Sequence, residues 1–231
     1  MYKAIELDPS FAAAYGLAAW CYQVQTVFWI PLSGKLIEEA LRLSARAVEH
    51  GEQDSEALWM AGRVIAALSD QKDVGLALIQ ESLSLNPNGA RAWWASGIVR
   101  AYLGAREIAI EHLEQSQRLN PLDMSRHAHW TAISVAHFFV GAFDEAGVAA
   151  GEALRMWPQS TQALRLRAAT CSLLGDVDEA RACARRLLAI CPDATVANIS
   201  AQFRLQVRNS AHLEDFERGL LQAGLPEGPS V

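Results

Sequence analysis

Three histidines, His127, His129 and His137, stand within one short stretch of this chain, and four cysteines, Cys21, Cys171, Cys183 and Cys191, are scattered along it. Imidazoles and thiolates bind metals and act as acids, bases or nucleophiles, so chemistry would be sought first at these positions. Their spacing does not serve it. Residues i and i+2 face different sides of a helix and i+8 lies more than two turns on, so the three imidazoles do not converge on one ion. They read as surface or groove histidines around a loop. No two cysteines form a C-x-x-C pair; Cys171, Cys183 and Cys191 fall on apolar helical segments, where a thiol serves as a small core residue. The chain holds no glycine-rich phosphate loop, nucleophile elbow or H-E-x-x-H, the motifs that would bring phosphate, acyl or zinc chemistry. We therefore expect no catalytic residue, no metal and no cofactor, and read the chain as a non-enzyme.

The elements that carry these residues follow from composition. Of 231 residues, 51% are apolar, enough for a substantial core. Twenty basic residues against 26 acidic ones give a net charge of −6, which lacks the basic footprint that nucleic acid or an anionic membrane requires. No apolar run approaches the length of a membrane span; the nearest, "VFWIPL", is short and holds a proline. The N-terminus shows no signal peptide. Alanine and leucine dominate and no segment alternates like a strand. These observations predict an all-helical, cytoplasmic protein with reduced thiols.

Order within the helices is periodic. Pro87, Pro121, Pro158 and Pro192 close successive amphipathic segments at intervals of 34, 37 and 34 residues, and Pro9 closes an earlier one. Intervals of this size denote an array. Three columns recur with the prolines: small residues at Ala19, Gly62, Gly97, Ser134 and Ala168; small residues again at Ala40, Gly75, Ala109, Ala146 and Ala180; and bulky ones at Tyr15, Leu58, Trp93, Trp130 and Leu164. Antiparallel helices approach closely only where side chains are small, and a large neighbour then fills the space beside the crossing. "LGARE", "VGAFDEA" and "LGDVDEA" place a glycine after one helix and acidic residues at the start of the next.

These columns resemble the tetratricopeptide repeat, most clearly in "AWWASGIVRAYLGAREIAIEHLEQSQRLNP" (92–121) and "QALRLRAATCSLLGDVDEARACARRLLAICP" (162–192). The resemblance implies a right-handed α-solenoid of helix–turn–helix units with C-terminal capping helices. Five units are expected, at 10–53, 54–87, 88–121, 122–158 and 159–192, after a remnant of a preceding repeat at 1–9 and before capping helices and a tail at 193–231. The first unit carries the extra stretch "VFWIPLSGK", so its first helix is expected to end near Pro31. "ATVANISAQFRLQVRN" and "AHLEDFERGLLQAGL" read as closing helices, the second with Leu213, Phe216, Leu220 and Leu221 on one face; "PEGPSV" reads as a frayed tail.

The long first unit, the order of insertions and the ending "LEDFERGLLQAGLPE" further resemble the C-terminal tetratricopeptide region of bacterial class III adenylate/guanylate cyclase-like proteins and related winged-helix regulators. That resemblance implies a neighbouring signalling or DNA-binding domain; no cyclase chemistry carries over, because the paired aspartates of a cyclase have no counterpart here. In repeat register Met1 falls inside a second helix, so the sequence reads as part of a longer protein.

The repeat family exposes the second, fifth, ninth and twelfth residues of each unit in its concave groove. Carried over, these are Trp20 and Gln23; Glu56, Trp59 and Arg63; Arg91, Trp94 and Ile98; Val135 and Phe138; Gln162 and Arg165. Tryptophan and arginine dominate binding hot spots, the arginines by gripping carboxylates and the tryptophans by accepting apolar groups. Gly16 and Trp20 stand where a chaperone-binding repeat would carry lysine and asparagine, so a chaperone adaptor is not expected. The leading expectation is a scaffolding module of a bacterial signalling protein that docks a peptide segment of a partner protein. The alternatives are an oligomerisation element, a homodimer through the N-terminal end or the insertion at 27–32 with Phe28 and Trp29, and a small-ligand sensor.

Overall fold

The structure is a computed structural model and describes residues 1–27, 33–207 and 210–228. Among these residues it holds thirteen helices and no strand. A short α1 (Tyr2–Leu7) leads into five helix pairs: α2 (Ala12–Val27) with α3 (Gly34–His50), α4 (Ser55–Leu68) with α5 (Lys72–Leu85), α6 (Ala90–Tyr102) with α7 (Arg106–Leu119), α8 (Arg126–Phe138) with α9 (Phe143–Met156), and α10 (Thr161–Leu173) with α11 (Val177–Ile190). Two closing helices follow, α12 (Val196–Arg204) and α13 (Ser210–Gln222). The first helices of the pairs stack on one another as one layer, the arrangement of a solenoid.

The columns of small residues are the crossing points. Ala19, Ala40, Ala109, Ser134, Ala146, Ala168 and Ala180 are wholly enclosed, and Gly62 and Gly75 face each other so closely that a Cβ on either would sit 2.5 Å from the other's carbonyl oxygen. In the fourth pair the crossing also carries a hydrogen bond, as Ser134 Oγ donates to the Ala146 carbonyl at 2.7 Å. A second device recurs one repeat apart: Ser82 Oγ donates to the Ser55 carbonyl and Ser116 Oγ to the Ala90 carbonyl, both at 2.7 Å. Each ties the far end of a second helix to the start of its first helix. Among the bulky column, Tyr15, Leu58 and Leu164 are buried, whereas Trp93 and Trp130 stay half-exposed. Gly104, Gly141 and Gly175 take positive φ between 78° and 86° and turn the chain from first to second helix.

The C-terminus departs from expectation in two places. Leu213, Phe216 and Leu220 are buried, but Leu221 is 43% exposed, because α13 lays a narrower apolar stripe on α10. The tail is not frayed through Glu227: the carbonyls of Pro226 and Glu227 accept from the backbone N–H groups of Val196 and Ala197, capping the start of α12. The expected extension of the first helix to Pro31 and the dimer contacts of Phe28 and Trp29 concern residues 28–32, which lie outside the described residues; α2 is described as far as Val27.

Four histidines sit at helix contacts. His129 is 3% exposed with Nε2 2.9 Å from Ser116 Oγ; His127 meets the Trp157 ring edge-on; His112 lies 2.9 Å from Ser96 Oγ; His137 is partly covered. Among the described residues no group of three metal-ligating side chains comes together. Burial lowers the pKa of all four rings, and for His129 the opposing effect of Asp123 does not outweigh it. The unfolded chain therefore binds protons that the folded chain refuses as pH falls through about 6.5. Melting temperature should fall between about pH 7 and pH 5.5, and His129→Gln should remove part of that slope. A flat profile across the window would show that these rings titrate alike in both states.

Candidate functional site

The concave wall of first helices is crossed by the chain's own α12. Thr195 Oγ1 accepts from the Asn198 N–H to start this helix, and Val196, Ile199, Ser200 and Phe203 turn inward. Phe203 packs edge-on against Tyr102 of α6 with ring centroids 5.8 Å apart, and also contacts Phe139 and Phe216. Polar links extend the crossing. Arg165 Nη1 of α10 donates to Gln202 Oε1 at 3.4 Å, and Arg63 Nη2 of α4 donates to Gln206 Oε1 at 3.3 Å. The segment from α12 to Gln206 thus reaches from the fifth pair back to the second.

This crossing divides the residues that the sequence places in an open groove. Phe138 is fully enclosed among Phe139, Phe143 and Phe216, because α13 covers it. Arg165 is 1% exposed beneath α12 and also donates to Thr161 Oγ1. Neither is an open groove residue. Val135, Gln162, Trp20, Gln23, Arg63, Trp94 and Ile98 line an inner cavity of about 130 Å³ whose far wall includes Phe203. Of the other residues so placed, Glu56 and Arg91 remain exposed, whereas Trp59 is buried beneath them. Phe11, Leu17, Trp20, Glu56, Trp59 and Arg91 line a groove of about 480 Å³ where α1, α2, α4 and the start of α6 meet. Trp59 forms the floor at 1% exposure and its Nε1–H donates to Glu56 Oε2 at 2.8 Å; the Arg91 guanidinium lies 5.5 Å above the Trp20 ring.

The structure is similar to three solved structures over most of its length. It matches PilW, a widely conserved type IV pilus biogenesis factor, with a TM-score of 0.65 at 13% identity over 92% of this chain and 90% of that one. It matches pilF of Pseudomonas aeruginosa at 0.62 and 13% identity, over 94% and 90%. A thermophilic tetratricopeptide protein of Thermus thermophilus matches at 0.59 and 21% identity, over 78% and 92%. The fold is the tetratricopeptide α-solenoid. No family model matches the sequence, and no curated protein matches it.

Within this solenoid the electrostatics follow from α12. Burial pushes the guanidinium groups of Arg63 and Arg165 down to about 10, so both remain charged at neutral pH. Burial likewise raises the Tyr102 phenol, against the pull of both arginines. Burial also raises the thiols of Cys171 and Cys191 and pushes that of Cys183 up to about 12, which disfavours the reactive thiolate at these three positions. Tyr102, Gln202, Phe203 and Gln206 escape sequence reasoning as site residues. Tyr102 lies past the repeat's four groove positions, and the other three belong to the closing segment. Its apolar spacing at Val196, Ile199 and Phe203 signals an amphipathic helix and leaves its resting place open. Among the described residues no helix is long and apolar enough to cross a membrane.

Proposed function

We propose that the chain is a protein–protein interaction module that docks an extended apolar peptide segment in the groove formed by α1, α2, α4 and α6. The observation that carries this reading is the division of the first-helix face: α12 occupies its inner part, while Phe11, Leu17, Trp20, Glu56 and Arg91 stay accessible side by side. Phe11 and Leu17 are 47% and 38% exposed and offer apolar contact, and Glu56 and Arg91 offer charges of both signs at the rim. The sequence resemblance to cyclase-like proteins supports a regulatory role beside a bacterial signalling domain, in the cytoplasm. A chain of this composition would there act as a scaffold and not as a catalyst.

Peptides selected by display against the whole chain test the groove. Arg91→Glu and Leu17→Ser should each weaken the selected peptides at least about tenfold, whereas Val148→Ser on the outer face should leave affinity unchanged. Peptides that bind the groove variants and the unaltered chain equally well would refute the assignment. Light scattering in the same series reports self-association: a mass that falls with Leu17→Ser would make a second copy of the chain the occupant.

A further inference from the structure

The inner cavity has a chemical character of its own. It is walled mostly by carbon, from Trp94, Ile98, Val135, Leu166 and Phe203, and holds one buried cation. Arg63 is 5% exposed, yet among the described residues no carboxylate lies within ion-pair distance of it. Among the described residues its Nη2 meets only the neutral Gln206 oxygen, at 3.3 Å, and its Nε–H has no acceptor. A buried guanidinium without an anion is costly, and proteins pair or solvate such groups. The indole N–H groups of Trp20 and Trp94, whose side chains line the same cavity, are also buried without acceptors among the described residues. Arg165, buried nearby on α10, acts with Arg63 on Tyr102 at the cavity wall and adds to the positive potential.

We propose that this cavity binds a small monocarboxylic acid with an apolar body, its carboxylate held by Arg63 and the two indole N–H donors. A guanidinium edge matches a carboxylate in shape and charge, and the surrounding carbon suits an aryl or short alkyl group. The same chemistry could arrive as the C-terminus of a peptide. Phe203 of α12 walls the cavity and favours a free acid, because a main chain would have to displace α12 to enter. The site is separate from the peptide groove; Trp20 borders both, and Arg63 borders this cavity alone.

The test uses the full chain with benzoate and hexanoate as probes, against benzamide and hexanamide, read by calorimetry and by tryptophan fluorescence. At least one acid should bind, with its amide at least about tenfold weaker. Arg63→Gln should abolish the preference for acid over amide, and Arg63→Lys should retain part of it. The acid–amide comparison on the unaltered chain stands even if a variant fails to fold. Acids and amides binding alike, neither acid binding, or a preference that survives in Arg63→Gln would each overturn the proposal. A hexapeptide with a free C-terminus, compared with its amidated form, separates the sources. Tighter binding of that free terminus than of either acid would overturn the free-acid assignment. None of these outcomes depends on Arg91 or Leu17, so failure here and failure of the groove reading are distinguishable.

Discussion

Gly75→Ala will destabilise the chain by about 2–3 kcal/mol, although alanine is the better helix former. The added Cβ would lie 2.5 Å from the Gly62 carbonyl oxygen and 2.8 Å from both the backbone nitrogen and the Cβ of Ala66. None of these is the end of a flexible side chain, so α4 and α5 must separate. Gly62→Ala meets the reciprocal contact, the Gly75 carbonyl oxygen at 2.5 Å, and also Ile79 Cγ1 at 2.9 Å. Gly151 in α9 provides the control: its nearest neighbour would be 3.8 Å away, in the flexible Arg167 side chain. Gly151→Ala should stabilise by about 0.5–1 kcal/mol through helix propensity alone. Denaturant unfolding of the three variants decides the matter. Equal effects at positions 75 and 151 would mean that the α4–α5 crossing is looser than these contacts require.

Phe216→Ala should cost about 3–5 kcal/mol, the range for truncating a fully buried aromatic ring. Phe216 has no exposure and stands between Phe138 at 5.4 Å and Phe203 at 4.8 Å, so one ring holds α13 to α8 and α12 to α13. The damage should also be local, because each repeat of a solenoid contacts chiefly its neighbours. Amide exchange should rise across α12 and α13 while α4 and α5 keep their protection. Arg218→Ala, at an exposed pair with Asp215 on the same helix, should change stability by no more than about 0.5 kcal/mol. Uniform loss of protection along the whole chain would show instead that the array unfolds as one unit.

What the sequence reveals follows from what repeats. The crossings at Ala19/Ala40 or Ser134/Ala146 recur once in every repeat, and backbone contact allows only small residues there, so five examples of one constraint can be read together. The closing segment occurs once. Val196, Ile199 and Phe203 mark an amphipathic helix, but any apolar surface would satisfy them, and the concave wall is recognised as their partner only when the solenoid has curved. The same gap explains Phe138 and Arg165. Family register places both in the groove, and it carries no information about what a later helix will cover. Glu56 and Arg91, beyond the reach of α12, remain exposed. Conversely, Leu221 and the tail at Pro226 and Glu227 depend on how one helix is seated against another, which spacing along the chain does not encode.

On this reading α12 covers the inner part of the concave face and leaves the N-terminal groove for partners. Amide hydrogen exchange of α12, measured on the free chain and with a display-selected peptide bound, tests it most directly. The amides of Ser200 to Arg204 should be protected to the same degree as those of α10, and peptide binding should leave them so. Exchange at the rate of an unfolded peptide, or protection that disappears when the peptide binds, would contradict it and assign the concave channel itself to the partner.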